Sequence, residues 1–143
     1  MRILLADSFP DASRAALADH GHDCDYEPDT TAGDRPERVP GHEVLVVRST
    51  KVTAETIEAA ADTLRLVIRA GSGTDTIDRD TAAARGICVC NVPGRNAVAV
   101  AELACALLLA LDRNVAESVA DLRAGRWDKK RYARARGITG RSV

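Results

Sequence analysis

The chain has 143 residues, of which 45% are hydrophobic and 29% are charged, proportions that fit one ordinary globular domain with a substantial core. Its 20 basic and 21 acidic residues leave a formal net charge of -1, and only 3% of the residues are aromatic. Because the chain has neither a basic field nor stacking platforms, composition argues against nucleic acid and membrane surfaces as partners.

The cysteines and the apolar runs predict a location inside the cell. No Cys-x-x-Cys pair and no spacing typical of a metal site is present among Cys24, Cys88, Cys90 and Cys105. We therefore expect buried, reduced thiols and no metal. The N-terminus lacks a signal-peptide-like apolar stretch, and the most apolar run, residues 97–111, is too short to span a bilayer. These features predict a soluble, cytoplasmic protein.

The chain begins with a predicted strand over residues 2–6 and a predicted helix over residues 11–20 that ends at Gly21. The helical periodicity predicts that the face of this helix toward the sheet carries the side chains of Ala12, Ala15, Ala16 and Leu17. A second, weaker strand covers residues 22–26. Prolines, glycines and charges crowd residues 28–41, so any helix there must be short.

From residue 43 onward, strands and helices alternate regularly. The predicted strands are residues 43–48, 65–69 and 87–90, and the predicted helices are residues 54–61 and 78–85. Thr53 is placed to cap the first of these helices, and Gly86 ends the second. Strands separated by helix-length segments need crossover connections, which predicts an α/β fold of the flavodoxin-like type with a doubly wound parallel sheet.

A long helix is predicted over residues 97–124 and ends at Gly125. Its first half is apolar nearly all round, which indicates burial on most sides, and its second half is amphipathic. The rest of the chain is basic and irregular. We expect one domain over residues 1–96, followed over residues 97–143 by a linking and dimerisation helix and an arm.

Two loops that follow predicted strands carry groups suited to binding an anion. Residues 48–51 (Arg-Ser-Thr-Lys) offer a guanidinium, two hydroxyls and an ammonium. Residues 70–75 (Ala-Gly-Ser-Gly-Thr-Asp), which include a glycine loop over residues 71–75, let the backbone approach a ligand and turn its N–H groups toward an anion. The simpler alternative, which the residues alone favour, is that Arg48 pairs with a surface carboxylate and the glycines only form a turn.

The other candidate groups predict little chemistry. Residues 71–76 do not match GxGxxG because Thr76 occupies the last position, and no phosphate-binding GxxxxGK[ST] motif occurs. Glu102 lies within the apolar helix, where we expect an ion pair at a solvent edge or interface. No positioned partner is evident for the three histidines, which we expect to be solvated on the surface: His20, His22 and His42.

Several segments, in order, resemble the NAD-dependent D-2-hydroxyacid dehydrogenases. They are residues 47–53 (VRSTKVT), 69–78 (RAGSGTDTID), 86–96 (GICVCNVPGRN) and 99–103 (AVAEL). Residues 122–130 (LRAGRWDKK) look like the family's connection into its cofactor domain. The family transfers a hydride from a 2-hydroxy acid to NAD, so the resemblance implies a small 2-hydroxy acid, phosphorylated or not, as the substrate.

The resemblance also implies roles for particular residues. Arg48 and Ser49 would line the substrate pocket, with Arg48 meeting a phosphate or carboxylate. The backbone of the glycine loop would hold the substrate carboxylate through Gly71, Ser72 and Gly73. Contacts with the NAD cofactor would come from Ser72, on the nicotinamide side, and from Val100. A homodimer would form through helix 97–124.

The family's remaining machinery lies downstream of a segment similar to residues 140–143. This machinery comprises the GxGxxG turn, the acidic ribose ligand and the catalytic arginine, carboxylate and histidine. Thr76 also replaces an asparagine that is common in the family's glycine loop. We therefore expect the substrate-binding part and linking helix without the Rossmann cofactor domain, with no catalytic residue and no activity of its own.

The alternative is a non-catalytic module that uses the flavodoxin-like sheet for anion binding or protein association. A response-regulator receiver is excluded because Arg48 and Asn91 stand where it needs an aspartate and a lysine. Flavodoxin is disfavoured because residues 7–10 (Asp-Ser-Phe-Pro) make a poor phosphate loop.

Overall fold

A computed structural model describes residues 1–142, which divide into two compact units, Met1–Arg95 and a second that begins at Asn96. The strands of the first unit are β1 (Arg2–Leu5), β2 (Asp23–Tyr26), β3 (Val44–Val47), β4 (Leu66–Arg69) and β5 (Cys88–Asn91). Its helices are α1 (Asp11–Asp19), α2 (Arg35–Arg38), α3 (Ala54–Ala59) and α4 (Arg79–Ala84). The strands and helices predicted for this part of the chain are thus confirmed, with α2 as short as its prolines require.

The five strands form one parallel sheet in the order β2-β1-β3-β4-β5. This order confirms the flavodoxin-like, doubly wound α/β fold. The aliphatic runs form the central strands because these strands are covered on both faces. Leu4, Leu45 and Val67 pack on one face with Ile57 of α3, whereas Leu5 packs on the other face with other apolar side chains.

Local signals set the helix boundaries, as predicted for Thr53 and Gly86, whereas Asp78, predicted as the first residue of a helix, instead caps it. The Thr53 hydroxyl accepts the Thr56 N–H at the start of α3, and Asp78 accepts the Thr81 N–H at the start of α4. Gly86 follows α4 with φ +68°, a left-handed conformation that favours glycine.

The inner face predicted for α1 is wrong. None of its residues is fully buried, and three of the four residues assigned to that face are exposed: Ala12, Ala15 and Ala16. The side facing the sheet instead carries Arg14 and Leu17, which are half-buried one turn apart. The Arg14 guanidinium lies 4.0 Å from the ring centroid of Tyr26 on β2, a cation–π contact that small residues could not make.

The expectation of buried thiols is also wrong. Cys24 is half-buried, and the other cysteines, Cys88, Cys90 and Cys105, are free and exposed. Cys88 and Cys90 lie on the same face of β5, which is an edge strand, while Val89 between them packs against the core.

The second unit contains α5 (Ala97–Asp112), α6 (Val115–Arg123) and α7 (Lys129–Tyr132). The prediction of one helix over residues 97–124 is therefore wrong. Asn114 adopts φ +51°, a left-handed conformation that breaks the helix and that asparagine tolerates better than most residues. Gly125, at φ +72°, ends α6 as predicted.

The apolar residues of α5 are not covered within the described part of the chain. None of its residues is buried, and the exposed fraction reaches 76% at Leu111. Glu102 is exposed as well. No helix within residues 1–142 is both long and apolar enough to cross a bilayer.

The arm predicted to be irregular contains one ordered helical turn. The Asp128 carboxylate caps α7 by accepting the Arg131 N–H at 3.1 Å. Asp121 of α6 accepts hydrogen bonds from the side chains of Arg126, Arg131 and Tyr132. The arm is therefore tied to α6 by polar contacts rather than by a core.

Candidate functional site

The candidate anion site lies at the carboxyl ends of β3 and β4. Val47 and Arg69, the last residues of these strands, are register partners, and the Ala70 N–H donates to the Val47 carbonyl at 2.7 Å. The loop over residues 48–51 and the glycine loop over residues 71–75 therefore begin at neighbouring positions. This edge is where parallel α/β sheets bind their ligands.

The loop over residues 48–51 is held by Asp7, the second residue after β1. The Asp7 carboxylate accepts the N–H groups of Arg48 at 2.6 Å, Ser49 at 3.2 Å and Thr50 at 3.4 Å. It also accepts the Thr50 hydroxyl at 2.6 Å. Burial acts to raise the pKa of Asp7, but these hydrogen bonds outweigh it and hold the pKa below its ordinary value.

Arg35 of α2 is fully buried beneath the same loop. Its guanidinium donates to the carbonyl oxygens of Ala6 at 2.7 Å and Lys51 at 2.9 Å, and it lies 3.7 Å from the Asp7 carboxylate. Sequence analysis missed Arg35, because its proline-rich surroundings resemble a solvated loop. Nothing in the local sequence signals its burial.

The side chain of Arg48 is exposed and donates to the Ser8 carbonyl at 3.0 Å. The surface carboxylate that was the alternative partner for Arg48 is not found: within residues 1–142 its guanidinium forms no ion pair. Ser49 and Lys51 are also exposed on this loop. The loop therefore presents two cationic side chains to solvent at the strand end.

The glycine loop is anchored through its carbonyl groups. The Val92 N–H donates to the Gly71 carbonyl at 3.0 Å, and the Asn91 side-chain amide donates to the Ser72 carbonyl at 2.6 Å. Ser72 and Gly73 are exposed at the tip. A Cβ at position 73 would lie 2.7 Å from an Asp75 carboxylate oxygen, so a side chain there would require the Asp75 carboxylate to move.

Arg69 adds a third cationic group that sequence analysis missed. Its guanidinium packs so closely over Gly71 that a Cβ at position 71 would collide with it. Its buried Nε atom has no hydrogen-bond partner among the described residues. The signal was present in the sequence, since an arginine that ends a strand directly before a glycine loop must lie beside that loop.

The two loops are linked beyond the strand ends. The Val52 N–H donates to the Thr76 carbonyl, and the Asp78 N–H donates to the Val52 carbonyl, both at 2.9 Å. An open depression of about 960 Å³ is lined by residues 51–54 and 73–80. Of the predicted site residues, Gly73 lines this depression, whereas Arg48, Ser49, Gly71 and Ser72 do not.

The prediction that all three histidines are solvated is wrong for His42. This residue is only 5% exposed, and its ring nitrogens lie 3.1 Å from the Val39 carbonyl and 2.8 Å from the Asp25 carboxylate. His42 precedes β3, and His20 and His22 precede β2. The histidines therefore lie at the amino-end edge of the sheet, opposite the candidate anion site.

The remaining candidate, Val100, lies in the first turns of α5 in the second unit and is 55% exposed. Its side chain offers an apolar surface and no polar group. Within residues 1–142, no group of three or more histidine, cysteine or acidic side chains is arranged to hold a metal ion.

Known proteins resemble this chain over most of its length. A D-3-phosphoglycerate dehydrogenase from Arabidopsis thaliana is 41% identical over 133 residues, which cover 92% of this chain and 21% of the relative. A hydroxypyruvate reductase from Thermotoga maritima is 50% identical over 93 residues, which cover 64% of this chain and 30% of the relative. The chain therefore spans less than a third of the length of these two relatives.

A solved structure of similar fold is the NAD-dependent formate dehydrogenase of Staphylococcus aureus in complex with NAD. It superposes with a TM-score of 0.81 at 28% identity, covering 93% of this chain and 45% of that chain. The family model of the D-isomer specific 2-hydroxyacid dehydrogenase catalytic domain matches residues 3–139. Because this match takes in both anion-site loops and nearly the whole chain, the chain belongs to the D-isomer specific 2-hydroxyacid dehydrogenases.

Proposed function

We propose that this chain is the substrate-binding part of an NAD-dependent D-3-phosphoglycerate dehydrogenase. The observation that supports this most directly is the cluster of cationic side chains at the ends of two neighbouring strands: Arg48, Lys51 and Arg69. None of the three forms an ion pair with a carboxylate within residues 1–142. A substrate with a carboxylate at one end and a phosphate at the other needs such a site.

The two anionic groups have different partners in this proposal. The exposed guanidinium of Arg48 binds the phosphate, and the Ser49 hydroxyl lines the same side of the pocket. The glycine loop binds the carboxylate through the backbone of Gly71, Ser72 and Gly73. The Arg69 guanidinium, which lies over Gly71, would supply the positive charge that favours a carboxylate at this loop.

NAD is the cofactor of the proposed reaction, and when bound it accepts a hydride from the carbon that bears the substrate hydroxyl. Ser72 and the apolar side chain of Val100 are both exposed, and each would contact the cofactor. Residues 1–143 contain no GxGxxG turn to hold its phosphates. Ser72 would contact the nicotinamide side of NAD, and Val100 would pack near the cofactor.

The proposal extends to assembly and location. The exposed apolar side chains of α5 support a homodimer that forms through residues 97–124. The free thiols support a reducing, cytoplasmic location. The alternative function, a non-catalytic anion-binding or association module of the same fold, predicts no preference for a 2-hydroxy acid over inorganic phosphate.

An NMR titration of the chain with D-3-phosphoglycerate, D-glycerate and inorganic phosphate tests the proposal. We expect the amide signals of Ser49, Ser72 and Gly73 to move, with an affinity for D-3-phosphoglycerate of about 1 mM. Each single-anion probe should bind more weakly. If D-glycerate binds as tightly as D-3-phosphoglycerate, the substrate is the unphosphorylated acid, as the hydroxypyruvate reductase relative would suggest.

Two variants and one control sharpen this titration. Arg48→Ala and Arg69→Ala should each weaken D-3-phosphoglycerate binding about tenfold, because each removes a charge-assisted hydrogen bond. Arg65→Ala removes an exposed arginine at the other end of β4 and should leave binding unchanged. Equal affinity in all four proteins would show that the cationic cluster is not the substrate site.

A further inference from the structure

Asp7 occupies the place that an anionic ligand would take in the loop over residues 48–51. Three successive backbone N–H groups, those of Arg48, Ser49 and Thr50, converge on one oxygen of the Asp7 carboxylate. The Thr50 hydroxyl donates to the other oxygen at 2.6 Å. Successive amides that point inward form a concave anion site, and here the anion comes from the protein itself.

This occupancy decides which groups of the loop remain for a substrate. Since the backbone amides of Arg48, Ser49 and Thr50 donate to Asp7, these three residues can reach an external anion only through their side chains. The segment that carries Asp7 also orients the side chain of Arg48, because the Arg48 guanidinium donates to the carbonyl of Ser8, the residue after Asp7. Asp7 therefore holds the backbone of Arg48, and Ser8 holds its guanidinium.

Arg35 completes the arrangement from below. Its guanidinium donates to the carbonyl before Asp7, that of Ala6, and to the carbonyl that ends the loop, that of Lys51. It also lies 3.7 Å from the Asp7 carboxylate and is fully buried. A buried guanidinium in this position offsets the charge of Asp7, so the aspartate does not cancel the positive field of the exposed side chains.

We propose that Asp7 and Arg35 are positioning residues that hold the loop over residues 48–51 so that Arg48 meets the substrate anion. This inference rests on the proposed function, because it assigns a role within the same site. Neither residue touches the substrate. Both act through Arg48, and their effect on binding should vanish when the Arg48 side chain is absent.

The ionisation of both groups supports this arrangement. Burial acts to raise the pKa of Asp7, yet the hydrogen bonds from Thr50 and the loop amides bring it below the ordinary value. Burial lowers the pKa of Arg35, and the neighbouring Asp7 opposes that change. An arginine remains charged at neutral pH even so, and the pair is ionised under the conditions of a binding experiment.

A double-mutant cycle between Asp7 and Arg48 tests the proposal. Affinity for D-3-phosphoglycerate is measured by NMR titration for the chain, for Asp7→Asn, for Arg48→Ala and for the double variant. We expect Asp7→Asn to lower the affinity about fivefold and to have no further effect in the Arg48→Ala background. A role in stability alone would lower the affinity by the same factor in both backgrounds, and that result would overturn the proposal.

Matched variants separate positioning from folding. Asp25→Asn changes another hydrogen-bonded aspartate of the first unit, one that is bonded to Arg2 and His42 at the opposite edge of the sheet. It should reduce thermal stability and leave the affinity unchanged. Arg35→Lys keeps the charge but not the planar fork, and should lower the affinity about as much as Asp7→Asn. Unchanged affinity in both Asp7→Asn and Arg35→Lys would refute the assignment.

The outcomes also distinguish this inference from the proposed function. If the wild-type chain binds no D-3-phosphoglycerate, the function and the positioning role fail together. If the wild-type chain binds and Arg48→Ala does not, but Asp7→Asn binds normally, the function stands and the positioning role is wrong. Should Arg35→Lys fail to fold, the cycle with Asp7→Asn decides alone.

Discussion

At the scale of single residues, the Asp121 carboxylate accepts several hydrogen bonds that order a segment of the second unit, as the Asp7 carboxylate does in the first unit. Its carboxylate accepts hydrogen bonds from the Tyr132 hydroxyl at 2.7 Å, from Arg131 at 2.9 Å and from Arg126 at 2.6 Å. These hydrogen bonds lower the pKa of Asp121, and the bond to Asp121 raises the pKa of Tyr132. The ionised carboxylate therefore favours the ordered arm.

Asp121→Asn should release the arm over residues 126–132, because the amide removes the charge that three donors share. We expect trypsin to cleave after Arg126, Lys129 or Lys130 at least about fivefold faster than in the wild-type chain. Glu117→Gln removes the same charge from an exposed position of α6 and should leave the cleavage rate unchanged. Equal rates in all three proteins would show that Asp121 does not order the arm.

The sign of the pH dependence follows from the direction of the pKa shift of Asp121. A carboxylate with a lowered pKa in the folded chain stabilises it fully above the ordinary carboxyl pKa. This stabilisation is lost as the pH falls through the lowered value. The protection of the arm amides, measured as the exchange rate relative to the intrinsic rate at each pH, should therefore fall at acid pH in the wild-type chain and depend less on pH in Asp121→Asn.

At the scale of elements, the break at Asn114 gives the second unit two helices where the hydrophobic pattern predicts one. The exposed apolar side chains of α5 are Val98, Val100, Leu103, Leu107, Leu108, Leu109 and Leu111. Covering five such side chains would stabilise an assembly by on the order of 10 kcal/mol at about 25 cal/mol per Å², before the cost of association. In the proposed twofold-symmetric dimer, α5 of a second copy of the chain would cover these side chains.

Leu107→Glu should convert the proposed dimer to a monomer, since it places a charge on the apolar surface of α5. Sedimentation velocity at micromolar concentration measures the change in mass. Ala83→Glu adds the same charge to an exposed position of α4 in the first unit, and should leave the mass unchanged. A wild-type chain that sediments as a stable monomer would contradict the dimer.

At the scale of the whole molecule, the sheet separates the histidines from the candidate anion site. The residues that would bind substrate lie at the carboxyl ends of β3 and β4, whereas His20, His22 and His42 lie near the amino ends of β2 and β3. His42 is also engaged by Asp25 and by the Val39 carbonyl. No histidine of residues 1–142 is therefore placed to remove the proton of a bound hydroxyl group.

The chain of 143 residues should accordingly form no NADH from NAD and D-3-phosphoglycerate. Absorbance at the NADH band, with a protein-free sample as control, measures this. The prediction is wrong if NADH forms above the control and if Arg48→Ala abolishes its formation, because activity that depends on Arg48 would belong to this chain. The same sample should still bind D-3-phosphoglycerate in the NMR titration.

Features that depend only on neighbouring residues follow directly from the amino-acid sequence. Aliphatic runs became strands, Thr53 and Asp78 capped helices, and Gly86 and Gly125 ended them. The order of strands and helices then left the doubly wound sheet as the fold, because parallel strands need crossovers. The loops of the candidate site were predicted for the same reason, since they follow the strands directly.

Tertiary structure alone decided which distant groups meet. Asp7 and Arg48 are 41 residues apart, Arg35 and Ala6 are 29 apart, and Asp25 and His42 are 17 apart. No local sequence pattern predicts such pairs, because the residues next to a polar side chain in the sequence do not reveal whether it lies beneath a loop or in solvent. Burial of Arg35 and His42 depends on which carbonyl and carboxylate oxygens packing brings within reach, and only the assembled sheet supplies those partners.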